Sequence, residues 1–374
     1  MTINRFPAVA AASLAVALTA PATAAELVYG SWTPAQEYQN RVAMPELFRN
    51  IDKDTNGAVK WKLIAGGQIA DGKTTFTAVK DGLMQGGLAI VTYVPNAIPS
   101  IYAIYSTIIF GESDPVAASG AALETMYLHC PSCLEESKAY NAVPLSGWTS
   151  SSYVLACREP IRTLADLKGK RIRATGGNAE MFKQAGAVTV GATLVEAVGL
   201  LQRGGLDCQH GIYDWLRTFG YADVARYVMD YPLGLTGPAI GMFMNRDTWK
   251  GFTPEQKKVH VKYAAWLSAK MAIGNFVVAN EEALDTIVKT KGVQVIKVGD
   301  AFDSVAANYK KLQRDANIAT AKSFGVKDPA AIIDYYEQAV ERWRPKSKEI
   351  GRDIDKFSDV LTKEVFSKID PEKL

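Results

Sequence analysis

The chain has 374 residues, of which 48% are hydrophobic and 22% charged, a globular composition with material for about two domains. Its 42 basic and 39 acidic residues leave a net charge of +3. That balance, with no basic stripe of interleaved aromatics, argues against nucleic acid as a partner.

The opening predicts a signal peptide over 1–25. Arg5 precedes an alanine-rich apolar run from Ala8 to Ala20, and Ala22-Thr23-Ala24 has the small-x-small form of a cleavage site. The run is short for a bilayer span. No cysteine follows it for lipid anchoring, and nothing later reaches transmembrane length. The mature protein is therefore expected to be exported and not membrane-embedded.

From Glu26 to Trp32 the pattern predicts a strand, followed by a helix through Arg41 to Asp54 that stops at Asn56-Gly57. Val59 to Ile64 is a second strand, closed by Gly66-Gly67-Gln68, and a helix over Thr74 to Lys80 ends at Asp81-Gly82. Gly87 to Tyr93 is a third strand, apolar enough to be buried on both faces. This is a β-α-β-α-β unit. An irregular aromatic segment (Pro95 to Gly111) and a helix (Val116 to Leu128) lead to a C-x-x-C at Cys130 and Cys133, expected to sit in a turn. Leu145 to Trp148 is a strand, and Thr149 to Ser152 crosses into a second unit.

The stretch Thr163 to Gly211 alternates helix and strand again. Thr163 caps a short helix with Asp166 at its third position, Arg171 to Ala174 is a strand, and the Gly176-Gly177 turn opens a helix near Ala179 to Ala185. Thr193 to Val195 is the next predicted strand, Ala197, Leu200 and Leu201 keep helical spacing, and Leu206 to Gln209 is extended. Such alternation implies a parallel sheet covered on both faces. Arg173 is a charge at the carboxyl end of its strand, beside a glycine turn and a helix start, where open α/β sheets bind ligands.

Val224 to Met229 and the returning Ile240 to Asn245 are strands. Thr253-Pro254-Glu255-Gln256 is a helix start with a cap, a first-position proline and a closing glutamine. That helix reaches Lys291-Gly292, about 57 Å if unbroken, with Gly274 as its weak point. Val293 to Val298 is a strand, and the remainder is helical to Ile369. The fold class is thus α/β: two β-α-β lobes around a hinged cleft, with a long helix spanning both, like a ligand-binding protein that closes on a solute. Lobe I takes 26–149 and about 238–280, lobe II takes 150–237 and about 281–340, and 341–374 is a C-terminal helical segment.

Export permits disulfides among Cys130, Cys133, Cys157 and Cys208. Four cysteines allow three pairings, which the sequence leaves open; Cys130–Cys133 with Cys157–Cys208 is the favoured set. A redox pair of thioredoxin type needs its C-x-x-C at a helix start after a strand, so a structural disulfide is the preferred reading. His129, His210 and His260 are scattered, with no metal-ligand spacing. Cys208 and His210 face one way on a strand, but no nucleophile elbow or phosphate loop accompanies them. Neither catalysis, a metal nor a cofactor is expected.

Asp166-Leu167-Lys168-Gly169-Lys170-Arg171-Ile172-Arg173 resembles the "DLKGxKIR" signature of the periplasmic substrate-binding proteins of tripartite ATP-independent periplasmic (TRAP) transporters, the dicarboxylate-binding (DctP-like) family. Thr55-Asn56-Gly57, Gly66-Gly67-Gln68, Ala78-Val79-Lys80-Asp81-Gly82, Leu206-Asp207 with Gln209, and Phe252-Thr253-Pro254-Glu255-Gln256 follow in the family's order. The resemblance covers nearly the whole mature chain. It implies a two-lobed periplasmic binding protein fold, a small organic acid as ligand, membrane permease subunits as partners, and Arg173 as the clamp on the ligand carboxylate. This chain departs from the family pattern at Tyr153, where many members carry a second arginine, and at Cys208, His210 and Gly211. Those departures disfavour sialic acids and simple C4-dicarboxylates. Trp32, Tyr93, Tyr153 and Trp215 fall near cleft edges and suit an aromatic or otherwise largely apolar monocarboxylate. Gln68, Gln209 and His210 complete the candidate ligand set, whereas Trp148 and Tyr213 fit core packing at least as well. Within binding proteins, a receptor of the ATP-driven (ABC) class is the alternative; from another class, an exported thiol oxidoreductase using Cys130 and Cys133.

Overall fold

The structure is a computed structural model describing residues 26–110 and 114–374. The predicted signal peptide lies outside the described residues. Two sheets organise the rest. The first holds β1 (Glu26–Gly30), β2 (Lys60–Ile64), β3 (Gly86–Ala89), β4 (Ala142–Trp148) and, from much later in the chain, β10 (Ala239–Asn245). Between these fall β5 (Val154–Cys157), β6 (Arg171–Arg173), β7 (Val188–Val190), β8 (Cys208–Gly211) and β9 (Tyr227–Asp230), which join β11 (Gln294–Lys297) in the second sheet.

The first sheet runs β2-β1-β3-β10-β4, with β1 parallel to β2 and β3, and β10 antiparallel to β3 and β4. β3, β4 and β10 are buried throughout, as apolar runs covered on both faces must be. Helix Met44–Asp54 buries Met44, Leu47, Phe48 and Ile51, one stripe at helical spacing, and packs against β2. The second sheet runs β11-β9-β5-β8-β6-β7, mixing parallel and antiparallel pairs. The protein is therefore a two-lobed α/β molecule whose chain passes between lobes after β4 and again before β10.

A third passage is the long helix. Thr253 Oγ1 accepts from the Gln256 N–H at 3.2 Å while Gln256 Oε1 accepts from the Thr253 N–H at 2.9 Å, so both orphan donors are met. The helix is α-helical over Pro254–Ala269, π-helical over Lys270–Ala279 and α-helical again over Asn280–Lys291, ending at Gly292 with φ +66°. Its first part packs on β4 and its last on helix Tyr213–Thr218 of the second lobe. At Gly274 the helix widens into the π form without breaking. A Cβ there would lie 2.2 Å from Tyr38 Oη, so only glycine admits that ring. Helix Asp303–Ser323 also touches both lobes, through Pro99–Ser106 and Gly176–Gln184, while Pro329–Ile350 packs on Pro115–Leu128.

Two local expectations are corrected. The strand expected at Thr193 to Val195 is instead β7, Val188–Val190, because Thr193 and Glu196 form a reciprocal capping box that starts helix Leu194–Gln202. The C-x-x-C is not in a turn: Cys130 is the N-cap of helix Pro131–Ala139, with Pro131 in its first turn. It follows a helix, Pro115–Leu128. Both disulfides, Cys130–Cys133 and Cys157–Cys208, are formed, the second across the paired positions of β5 and β8. Cys208 thus offers no thiol to His210.

Candidate functional site

Between the two sheets lies a narrow, largely enclosed cavity of about 60 Å³. Its wall is drawn from the segments that leave β1, β3 and β6 at their carboxyl ends, from both crossings and from the π-helical turn. That placement follows from strands whose ends converge where the sheets face each other.

Arg173 ends β6, paired with Val190 of β7 and Gln209 of β8, which fixes where its side chain leaves the sheet. The residue is 3% exposed. Its Nε donates to the Ala192 carbonyl at 2.8 Å, Nη1 to the His210 carbonyl at 3.4 Å, and Nη2 to Tyr93 Oη at 3.3 Å. Five N–H donors are available to a guanidinium, so two remain. No ion pair among the described residues includes Arg173. A buried cation held only by neutral oxygens favours an anion beside it.

Aromatic rings surround that charge. Tyr93 Oη also accepts from the Leu194 N–H at 3.2 Å, and the Arg173 guanidinium carbon stands 6.0 Å from its ring centroid. Trp32 meets Tyr93 edge-on at 5.5 Å and is fixed by donation from its Nε1 to the Leu88 carbonyl at 3.0 Å. Tyr153 lies 5.5 Å from Trp215, which meets Phe276 at 6.4 Å. Burial pushes the Tyr93 hydroxyl up, against the pull of Arg173, and drives Tyr105 well above its ordinary range. Both are neutral hydrogen-bonding groups at physiological pH.

Of the residues singled out in the sequence, Trp32, Tyr93, Tyr153, Arg173 and Trp215 line this one cavity. Gln68 does not: it is exposed on the loop after β2. Gln209 and His210 are each 1% exposed but stand behind the wall. Gln209 Nε2 donates to the His210 carbonyl, and the His210 ring sits edge-on to Tyr153 at 4.5 Å and to Phe182 at 5.3 Å. Burial, with Arg173 nearby, holds the His210 imidazole well below its usual range, so it packs as a neutral ring. Trp148 lines the cavity, whereas Tyr213 faces a separate groove and donates to Asp230. The Gly176-Gly177 turn is not in the wall; a Cβ on Gly177 would come 2.3 Å from the Ser106 carbonyl, so it serves close packing between lobes.

A profile of the bacterial extracellular solute-binding protein family 7, DctP, matches residues 30–351. The chain belongs to this family. Solved structures share its fold. A TRAP periplasmic solute-binding protein from Bordetella bronchiseptica, with bound (R)- and (S)-mandelate, is 21% identical with a TM-score of 0.72, over 85% of this chain and 99% of that one. A marine metagenome TRAP protein specific for aromatic acid ligands, in complex with 3-hydroxybenzoate, is 19% identical with a TM-score of 0.74, over 85% and 98%. One from Rhodoferax ferrireducens with copurified benzoate is 16% identical with a TM-score of 0.73, over 86% and 99%. A DctP-family chain is a solute receptor and not an enzyme. Among the described residues no group of His, Cys, Asp or Glu is arranged to hold a metal, and no helix is long and apolar enough to cross a membrane.

The DctP chain also places in its cavity an acid that sequence reasoning passed over. Glu37, in the loop after β1, is 4% exposed. Its Oε2 accepts from the Gln39 N–H at 2.8 Å and its Oε1 from Asn275 Nδ2 at 3.3 Å. Burial first, and then the Asp214 carboxylate, push its carboxyl up to about 7. Met271, Asn275 and Phe276 enter the wall together because the π-helical turn brings positions four and five apart onto one face. No periodicity in the sequence marks that phase shift.

Proposed function

We propose that this receptor is exported to the periplasm after removal of 1–25, and captures an aromatic or otherwise largely apolar monocarboxylate between its lobes. It then hands the acid to the membrane permease subunits of a TRAP transporter. The observation that carries this reading is Arg173, buried in the cavity wall without an ionic partner. A guanidinium grips a carboxylate through two parallel charge-assisted hydrogen bonds, each contributing about 1.5–3 kcal/mol. Trp32, Tyr93, Tyr153 and Trp215 supply apolar faces for the body of the ligand. Where many members of the family carry a second arginine, Tyr153 gives a ring, which suits one carboxylate better than two. Mandelate, 3-hydroxybenzoate and benzoate, bound by the similar structures, are acids of that class.

Both lobes contribute to the wall, so the ligand stabilises the closed form. The lobe division at 149–150 and 237–238 then serves as the hinge. The test is a thermal-shift and calorimetric screen of the mature protein with benzoate, mandelate and 3-hydroxybenzoate. A ligand at 100 times its dissociation constant stabilises the native state by about 2.7 kcal/mol. We expect aromatic monocarboxylates to stabilise the parent and Arg173→Ala to lose the response. Equal stabilisation of both proteins removes Arg173 as anchor; no response to any carboxylate rejects the acid reading.

A further inference from the structure

The cavity holds two charged side chains that do not pair with each other. Arg173 offers N–H donors, and no ion pair among the described residues involves Glu37. The groups acting on Glu37 come from several elements: Arg41 from a second, short π-helical turn over Gln39–Ala43, Asp214 from helix Tyr213–Thr218, Asn275 from the long helix and Gln39 through its backbone. Asp214 is itself held by Arg217 Nη2 at 2.5 Å and donates nothing to Glu37. Beside Glu37, Asn275 Oδ1 is buried with no donor within reach. This part of the wall therefore has one amide oxygen, Asn275 Oδ1, with no donor, beside a carboxylate whose oxygens have accepted one hydrogen each and keep further lone pairs. Buried acceptors of that kind strongly discriminate for a ligand that brings the missing N–H or O–H.

We infer that the ligand is a monocarboxylate carrying a second, hydrogen-bond-donating group, an ammonium or a hydroxyl, which docks on Glu37 and Asn275 while its carboxylate meets Arg173. This rests on the acid-receptor reading and adds a requirement to it. A second carboxylate would face the like charge of Glu37, and a bare methyl would leave the Asn275 amide oxygen unpaired. Glu37 and Asn275 are thus specificity-determining residues, separate from the anchor.

The test uses benzoates that differ only at the meta or para position, carrying methyl, hydroxymethyl, aminomethyl or carboxyl. Affinities are measured by calorimetry at pH 8, where Glu37 is ionised. A hydroxymethyl or aminomethyl compound is expected to bind at least about tenfold more tightly than its methyl counterpart, with the dicarboxylates weakest. Glu37→Gln is expected to remove the preference for aminomethyl and relieve the rejection of carboxyl. Circular dichroism and a cooperative urea transition establish separately that the variant is folded. Equal binding of methyl and donor-bearing compounds, or an unchanged preference in Glu37→Gln, overturns this inference and leaves the acid-receptor reading standing. Failure of every benzoate to bind the parent overturns both.

Discussion

Arg173 and Glu37 occupy one wall, yet only the first is legible in the sequence. A lone arginine that ends a short strand beside two glycines breaks the apolar pattern, and the structure keeps it buried with carbonyl and phenol partners. Arg173→Lys keeps the charge and loses the planar fork, so carboxylate affinity should fall by at least about tenfold in calorimetry. Glu37 reads as an ordinary loop acid, because its burial depends on Asn275, more than two hundred positions away. Its raised carboxyl has a consequence for pH. The native state binds this proton up to about pH 7, whereas the unfolded carboxyl releases it near 4.5. Between those values the native state holds more protons, so its stability falls as pH rises and the penalty is complete above 7. The size is on the order of 3 kcal/mol. Asp214, also raised by burial, acts with the same sign, while Arg41 opposes it. Urea titrations at pH 5 and pH 8 should show the loss, and Glu37→Gln should flatten it.

Elements were most legible where chemistry sits at their ends. The Thr253 box and Pro254 announce the long helix, and β2, β4 and β10 fall where alternation and glycine punctuation place them. Two signals were passed over. Thr193-Leu194-Val195-Glu196 is a capping box that the β-branched residues beside it disguised as a strand, and a cysteine N-cap is outside the usual Ser, Thr, Asp and Asn set. The π-helical turn left no signal apart from Gly274, whose lack of a side chain admits Tyr38. Gly274→Ala should overpack that contact and cost about 1–3 kcal/mol in urea denaturation. It should also weaken ligand binding, because Met271, Asn275 and Phe276 ride on the same turn. Tyr38→Phe removes the clashing oxygen, so the double variant should recover part of the loss; an additive result would mean the strain lies elsewhere.

At the scale of the whole molecule, strand-helix alternation interrupted by two crossings made a two-lobed α/β fold readable. The docking of Asp303–Ser323 against helices of both lobes was not readable, since its partners, Pro99–Ser106 and Gly176–Gln184, lie far back in the chain. The Cys157–Cys208 bond closes a separation of 51 residues. Its loss in the Cys157→Ser, Cys208→Ser variant should cost about 4 kcal/mol by chain entropy, measured by denaturant titration. Cys130–Cys133 spans only three positions and should matter about half as much. Each of these bonds begins and ends within a single lobe. The covalent cross-links therefore stiffen the two jaws and leave the joint between them untied. If the lobes close as proposed, a receptor built this way can be armoured against unfolding without being slowed in its grip, and oxidation can raise its durability with no toll on that closing.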